Sequence, residues 1–593
     1  MLPNGNKIYE FDGFRLDVHE RTLSCRGERL HLADKAFDLL CALADNSGKR
    51  LSKNELLEGV WTDSFVEENT LDKNISLLRR LLSDARPGVE FIETVRGHGY
   101  RFVAPLTEIA PLRDRAGNGI DVAPSSLAVL PFTNFENDPK IEYFCEGLVE
   151  ELINSLAKVH DLKVAARTST FSFKGKQVPI AAIARTLDVE NVLEGSLRKE
   201  GDAFFATVRL IDGRSGYAVW SEQYHRPVSE IFAMQDEIAL AIIGALNLQM
   251  TTEERNAVLK RPTASSQAYL LYLRGQYYRW RPIRESFSNA LKYFERSVKV
   301  DPKFARGYFG ISTYFGYGGA WGLLSMPPER SWPLAEAAAR KAIDLDPGLH
   351  ELRLSFAAFD LVDHRKLDAS EVQIRAIAAD HPDLPEIHHI YSFLLAITGR
   401  FDKAIEEARR ALSLDPLSVL FSRFVGSFLY YARRYGEAVT QLLDAAELDP
   451  NNPKVHEALF EVYYSTGQFE DAVDSWVRVA HLEGDDAMLE LLPTKVRNGR
   501  PGGDKATIRL MAQRKLEKLA SEAEGGSYVP SIHFARHYIF LNDYERAIEW
   551  LERASRERNA FSLLIGIDPL YDPLRNDTRF VKLWEYIRTG DRE

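Results

Sequence analysis

The sequence predicts a multidomain α+β chain that ends in an α-helical solenoid, and three observations carry that expectation. The first hundred residues alternate apolar and polar positions, then switch to helical spacing, then close on a short hairpin around a Gly-X-Gly turn. Residues 125–250 interleave strand-like and helix-like runs, as in an α/β domain with a mixed sheet. Five Asp-Pro or His-Pro dipeptides end at Pro302, Pro347, Pro382, Pro416 and Pro450, so the later spacings are 35, 34 and 34 residues. A period of 34 is that of tetratricopeptide repeats.

Composition bounds the rest. The chain has 593 residues, 45% hydrophobic and 27% charged, with a net charge of −11. It is long enough for several domains. An acidic whole excludes nucleic-acid binding by bulk charge, so any such surface is local. Cys25, Cys41 and Cys145 are scattered without a CxxC pair, which argues for a reducing compartment and against a disulfide framework or a structural zinc site. The first residues lack the apolar core of a signal peptide. The nearest approach to a membrane span, "IALAIIGALNL" at 238–248, is too short. The expectation is a cytoplasmic protein without a membrane segment.

The elements follow in order. "KIYEFDGFRLDVHERTLSCRGERLHL" alternates, with turn signals at Asp12-Gly13 and Arg26-Gly27, and reads as a small antiparallel sheet. "DKAFDLLCALADNSGKRLS" is an amphipathic helix ending near Gly48, and "KNELLEGVWTDS" is a shorter helix running into a loop. The third helix contains "ENTLDKNISLLRR". Leu71, Ile75, Leu78 and Leu82 make one apolar stripe, while Asn69, Lys73, Ser76, Leu77 and Arg80 point away from it and Thr70 and Asn74 flank one side. Such an outward face suits a solvated helix or a helix lying in a DNA groove. "VEFIETVRGHGYRFVAP" then supplies two short strands. Sheet, three helices and hairpin together make a winged helix-turn-helix.

The stretches "ELLEGVW", "VEENTLDKNISLLRRLL" and above all "IETVRGHGYRF" resemble the OmpR/PhoB-type C-terminal DNA-binding domain over about residues 7–105. The resemblance implies that the third helix enters the major groove of double-stranded DNA and the hairpin wing reaches the minor groove. By position, Asn69, Thr70, Lys73, Asn74, Ser76 and Leu77 face the groove, Arg79 and Arg80 hold phosphates, and Arg96 is the wing arginine. Tyr100 and Gly97 are structural, and the loop "WTDSF" at 61–65 faces RNA polymerase. Better-known members carry several arginines where Asn69, Ser76 and Leu77 stand. Residues 1–106 hold 15 Lys and Arg against 17 Asp and Glu. Modest affinity and a need for paired sites follow, hence a homodimer.

Response regulators of this type place a phosphorylated receiver before the DNA-binding domain; here the DNA-binding domain stands first, so no phosphoacceptor aspartate is assigned. Residues 107–124 read as a Pro- and Gly-rich linker. Residues 125–250 follow, and their stretches "AVLPF", "LKVAARTSTFSFKG", "VLEGSLR" and "VWSEQY" are similar to the TolB-amino-terminal-like domain, a likeness that implies no catalysis and names no ligand. Arg167, Thr168, Ser169 and Thr170 follow a strand, where α/β folds often bind ligands, although a polar capping loop explains them better.

Repeats occupy 262–483, with Ala404, Ala438 and Ala472 spaced by 34 where two helices touch and Gly399 and Gly467 at the turn within a repeat. An 11-residue insertion around "GYGGAWGLLSMPPERSW" explains the first, longer spacing. The solenoid's concave face suits a protein or peptide partner. Residues 484–527 read as an irregular connector, and 528–593 as a last helical pair with a cap. No P-loop, GxSxG, HExxH or dinucleotide turn occurs, so no catalytic residue, cofactor or metal is assigned. His388 and His389 diverge by about 100° on a helix, which argues against a metal site with His381. The expectation is a one-component, sequence-specific transcriptional regulator, with two alternatives: a tetratricopeptide scaffold weakly tethered to DNA, or a regulatory subunit of a signalling enzyme.

Overall fold

The structure, a computed structural model, describes residues 8–17, 22–25, 28–30, 32, 34–60, 68–86, 89, 91–95, 98–104, 106–109, 125–134, 139–281, 284–349, 351–497 and 502–589. The chain divides into two compact units, 1–122 and 123–593.

In the first unit, β1 (Ile8–Phe11), β2 (Phe14–Asp17), β3 (Thr22–Cys25) and β4 (Glu28–Leu30) form an antiparallel meander. Asp12 and Gly13 turn the first hairpin, both with positive φ. Then come α1 (Asp34–Asp45), β5 (Arg50–Leu51), α2 (Lys53–Val60), α3 (Glu68–Ala85), β6 (Ile92–Val95), β7 (Gly99–Phe102) and β8 (Thr107–Ile109). The second sheet has the order β5-β7-β6. Phe11, Phe14, Phe91 and Phe102 meet with centroids 5.1–5.9 Å apart, joining the two sheets in one core. One strand falls where the sequence suggested linker: β8 adds to β1, with Tyr9 opposite Glu108. Three residues are too few to show an alternating pattern.

The second unit opens with β9 (Ser125–Val129), β10 (Thr133–Asn134), α4 (Pro139–Leu156), β11 (Leu162–Val164), α5 (Arg167–Phe171), α6 (Ile180–Leu187), β12 (Asn191–Glu200), β13 (Ala203–Asp212), β14 (Ala218–Pro227) and α7 (Ile231–Ala245). The sheet is mixed: β11, β9 and β12 run parallel, and β12, β13 and β14 antiparallel. Leu127, Val129, Leu193, Phe204, Val208 and Leu210 bury one face with α4 and α7.

After α8 (Thr252–Val258), helices come in pairs: α9 (Ser266–Arg279) with α10 (Arg284–Val300), α11 (Ala305–Ala320) with α12 (Pro328–Leu345), α13 (Glu351–Val362) with α14 (Leu367–Asp380), α15 (Pro385–Ile397) with α16 (Phe401–Leu414), α17 (Val419–Tyr431) with α18 (Tyr435–Leu448), and α19 (Pro453–Ser465) with α20 (Phe469–Glu483). From α10 to α18, each second helix stops two residues before its repeat's proline. Ala404, Ala438 and Ala472 have no exposed surface, as close helix contact requires. Gly399 and Gly467 take positive φ at the turn, and Arg365 and Arg433 adopt the same conformation at the equivalent positions of their repeats. First helices of successive pairs also pack on one another (α13 on α15, α15 on α17, α17 on α19), so the array curves toward them.

The segment expected to be an irregular connector holds α21 (Asp486–Glu490), α22 (Thr494–Arg497) and the 20-residue α23 (Lys505–Glu524), which buries Ile508, Met511 and Ala512. Gly502 and Gly503 interrupt the repeat spacing just before it, yet Asp504 caps the helix by accepting from the Thr507 amide. Then come α24 (Ser531–Phe540), α25 (Tyr544–Arg556) and α26 (Thr578–Thr589). Between the last two, residues 560–574 turn back onto the first helices: the Tyr430 hydroxyl donates to Asp568 at 3.0 Å, and Arg433 pairs with Asp572 at 2.8 Å.

The α/β domain and the repeats join through charge. Arg306 on α11 donates to both oxygens of Glu151 on α4, at 2.8 and 2.6 Å. Their side chains are only 16% and 7% exposed, and the carboxylate holds Arg306 firmly protonated. Removing one partner of a buried pair strands the other. Arg306→Met is therefore expected to destabilise the second unit by roughly 3–5 kcal/mol, and Arg306→Met combined with Glu151→Leu to recover most of it. Urea unfolding of the full chain checks this; a double variant no more stable than the single one contradicts it.

Candidate nucleic-acid interface

Helix α3 owes its placement to its own apolar stripe. Leu71, Ile75, Leu78 and Leu82 are 0–1% exposed and pack into the first unit's core. Burying each stabilises the fold by about 1.5–3 kcal/mol. A helix seated this way must turn the opposite face outward. Lys73, Ser76, Leu77 and Arg80 are exposed there, and Leu77 keeps 46% of its surface in water. Left largely out of the core, Leu77 offers an apolar contact on an otherwise polar face.

The flanks of the helix are occupied. Thr70 and Asn74 are half-buried, and the Asn74 amide donates to the Thr70 carbonyl at 2.8 Å. The Ser76 hydroxyl donates to the Asp72 carbonyl at 2.9 Å. Both are bonds within the helix, which a better acceptor can replace.

The other shoulder is clamped to the wing. Arg79 reaches across to β6: its Nε and Nη2 donate to the Ile92 carbonyl at 2.9 and 2.7 Å, and Nη2 also to Thr94 Oγ1 at 2.7 Å. Its guanidinium stands 5.8 Å from the Tyr100 ring centre. The sequence reading gave Arg79 to phosphate; in the structure these donors fix the helix against the wing. Asp72 makes a second clamp, accepting from the Tyr100 hydroxyl at 2.6 Å and from Lys53 Nζ at 3.1 Å. It thereby ties α3 to β7 and to the start of α2. Its carboxyl sits below the usual aspartate range, first because Tyr100 donates to it and then because of Lys53. Sequence reasoning missed Asp72 and Lys53, since no local pattern announces partners 28 and 19 residues away. A polar residue beside the apolar stripe was the only signal.

The wing itself depends on a backbone contact. Gly99 has φ +111, and a side chain there would lie 2.0 Å from the Leu51 carbonyl oxygen. This glycine lets β7 approach β5. Arg96 and Gly97 at the wing turn, the Asn69 side chain and the "WTDSF" loop lie outside the described residues.

The other sequence candidates are placed elsewhere. Arg167 to Thr170 form the first four residues of α5 rather than a ligand loop. Ser169 hydrogen-bonds Asp415 and accepts from the Leu417 amide at 3.0 Å, so this corner docks on the repeats. His388 contacts Glu407 at 2.6 Å and is pushed up by it, whereas His389 faces Phe424, 4.4 Å between ring centres, and is pushed down to about 3 by burial and by Arg423. Among the described residues no helix is long and apolar enough to cross a membrane.

Comparison with known proteins agrees with this organisation. Residues 27–102 match the family "Transcriptional regulatory protein, C terminal", residues 123–240 the "HilA/YgeH-like transcriptional regulator, second domain", and residues 394–453 a tetratricopeptide repeat family. The transcriptional regulator HilA of Salmonella typhi is 22% identical over 423 residues, 70% of this chain and 72% of HilA. The uncharacterized transcriptional regulatory protein YvcP of Bacillus subtilis is 35% identical over 102 residues, 17% of this chain and 43% of that one. A putative adenylate cyclase 3 of Rhizobium meliloti is 36% identical over 190 residues, so this chain spans about a third (32%) of that relative. The chain thus carries an OmpR/PhoB-type DNA-binding domain, a HilA-like second domain and tetratricopeptide repeats.

The Asp72 clamp gives a pH signature. A carboxyl more acidic in the folded chain than in the unfolded one stabilises the fold above about pH 4 and loses that contribution as pH falls through the folded value. Asp72→Asn is expected to loosen α3 at neutral pH and to remove this part of the acid sensitivity. Hydrogen exchange of the α3 amides in the full chain, followed from pH 7 downward, tests it. An equal gap between variant and wild type across the whole range counts against the clamp.

Proposed function

We propose that the chain is a cytoplasmic, one-component transcriptional regulator that reads double-stranded DNA with α3 and its wing. The observation that carries the reading is the exposed Lys73–Ser76–Leu77–Arg80 face on a helix clamped to a hairpin, inside the segment that matches a regulator's DNA-binding family. In this reading Lys73, Asn74, Ser76 and Leu77 meet base edges, with Asn69 and Thr70 beside them. Arg80 meets phosphates, the wing's Arg96 reaches the minor groove, and Arg79 positions the helix. The "WTDSF" loop meets RNA polymerase, and the second unit senses a signal and receives a protein or peptide partner on its repeats. No catalytic step, cofactor or metal enters.

Contact types separate in a binding assay with the full chain. Asn74→Ala is expected to relax base preference at one position by about 1–3 kcal/mol, because an amide can pair with an adenine edge. Arg80→Ala is expected to weaken all sequences alike, since phosphate contacts carry no code. Uniform loss in both variants sinks these roles, and absence of any enriched motif among genomic fragments bound by the chain supports a scaffold instead. The 36% identity with a cyclase-named protein favours the second reading, a regulatory subunit of a signalling enzyme. Co-purification of cyclase activity without an enriched DNA motif would select it.

With few cations per domain, pairing of two chains supplies the missing affinity. Strand β14 is the edge of its sheet, and Tyr217 just before it and Val219 at its start are 78% and 58% exposed. Two copies can join there by antiparallel strand pairing. Sedimentation of the full chain as a dimer, with tighter binding to two half-sites than to one, is expected. A strict monomer with no gain on paired sites refutes the homodimer.

A further inference from the structure

The inner side of the repeat array is crossed by the chain itself. Between α25 and α26 the paired-helix pattern lapses, and residues 560–564 and 569–574 form two short 3-10 turns. Pro569 and Pro573 keep this stretch out of a regular α-helix. The segment runs over first helices from distant repeats. Phe561 packs edge-on against Trp321, just after α11, with ring centres 5.4 Å apart. Asp568 accepts from the Tyr430 hydroxyl on α17 at 3.0 Å, and Asp572 pairs at 2.8 Å with Arg433 in the turn after α17. Residues 569–574 also contact α19 and α24. One strap thus bridges early and late helices of the array.

The strap is held as a docked peptide is held. Two acids four residues apart bind a hydroxyl and a guanidinium of the array, and Leu570 and Tyr571 between them are 3% and 2% exposed. The seat does not satisfy all that it buries. Among the described residues the Tyr571 hydroxyl is buried without a hydrogen-bond partner. Asp568 faces Glu461, which is already bonded to Arg536, and burial and that neighbour push its carboxyl up to about 7. A buried hydroxyl without a partner costs free energy, and so does a buried carboxylate beside another. Opening returns both groups to water and offsets part of the apolar burial that is lost. The strap is therefore seated less firmly than its apolar contacts alone would make it.

We propose that residues 560–577 are a displaceable strap that keeps the inner side of the array closed, and that the partner is a protein segment of the same chemistry, two acids flanking a leucine and an aromatic ring, which takes the strap's seat on Tyr430 and Arg433. This rests on the reading that the repeats receive a protein or peptide partner, and it names that partner's chemistry and the contact that holds it off. A tethered strap competes at an effective concentration of about millimolar. A free segment of equal fit loses to it, so the site opens only to a tighter binder or after the strap is loosened. The guanidinium of Arg433 presents a fork of donors that suits a carboxylate of either origin.

The probe is a synthetic peptide of residues 563–577 with a fluorescent amino terminus, titrated into the full chain. Leu570→Ala combined with Asp572→Ala loosens the resident strap and leaves its seat intact. That variant is expected to take up the peptide at least about tenfold more tightly than wild type does. Adding Arg433→Gly, which suits the positive φ at this position, is expected to weaken uptake about fivefold, the upper worth of a half-exposed ion pair. Amide exchange in the wild-type chain gives an independent reading. Amides of 563–577 are expected to exchange at least about tenfold faster than those of α17 and α19, through an opening that leaves the array folded. Equal rates in strap and array overturn the proposal, and they decide alone should the loosened variant fail to fold. Equal uptake by wild type and the loosened chain also overturns it, as does failure of the loosened chain to bind at millimolar peptide. Indifference to Arg433→Gly overturns the acidic partner. A partner found on the outer helices leaves the interaction role of the repeats in place and refutes the shared seat.

Discussion

The second unit depends on a buried exchange of charge between one helix of the α/β domain and the start of the repeats. Helix α4 offers Glu146, Glu150 and Glu151 in little more than one turn. Arg167 stands 3.4 Å from Glu146 and 3.2 Å from Glu150, Arg281 pairs with Glu146 at 3.0 Å, and Arg306 pairs with Glu151 at 2.6 Å. Lys174 adds a third cation to Glu146 at 2.6 Å. Arg167 is also sandwiched by rings, 3.8 Å from Phe171 and 4.6 Å from Trp280. Buried carboxylates this close repel one another, so the helix is tolerable only with the cations in place, and two of these come from the repeat region, Arg281 from the turn after α9 and Arg306 from α11. Apolar contact reinforces the joint: Gly147 lets Leu273 approach to where a Cβ would be 3.0 Å away. The α/β domain and the array consequently fold as parts of one compact unit.

In the first unit the same logic works on a smaller scale. The apolar stripe sets which face of α3 is buried, but a stripe alone leaves the helix free to rock about its axis. Arg79 and Asp72 remove that freedom by joining the wing and the second helix to one shoulder. Two residues that would otherwise count among the polar surface thus act as positioning residues. What is presented outward is a narrow strip, Lys73, Ser76, Leu77 and Arg80, in a domain whose composition is slightly acidic. Such a strip relies on shape and a few polar edges more than on cation density.

The repeats show how a regular array acquires particular features. The left-handed turn position recurs every 34 residues, and glycine fills it at 399 and 467 at no steric cost. Arginine fills it at 365 and 433, where the conformation costs about 1 kcal/mol. Both arginines reach the end of the chain: Arg365 donates to the Ile587 carbonyl and Arg433 pairs with Asp572. The strain is offset by contacts that hold residues 560–587 across the inner side. Asp568 sits there buried against the Tyr430 hydroxyl, its carboxyl pushed up to about 7 by burial.

The sequence by itself determined most of the elements and their order, β8, α5 and α21 to α23 excepted. Periodicity located α3 and its buried face, the 34-residue spacing located the paired helices, and the proline positions marked where each second helix stops. All of these are patterns along the chain: the stripe and the stops depend on residues within one or two turns, whose side-chain directions the backbone fixes, and the repeats on the recurrence of such a local pattern. The tertiary structure alone decided the partners. That Arg79 serves the wing, that Asp72 answers Tyr100, that Ser169 docks on Asp415, and that β8 joins β1 are outcomes of contacts spanning 13 to 246 residues. An arginine or an aspartate at the edge of an apolar stripe reads the same whether it faces water, a phosphate or another strand. Only the arrangement of distant segments settles which, because a polar side chain takes its role from the group that the fold brings within three ångströms of it.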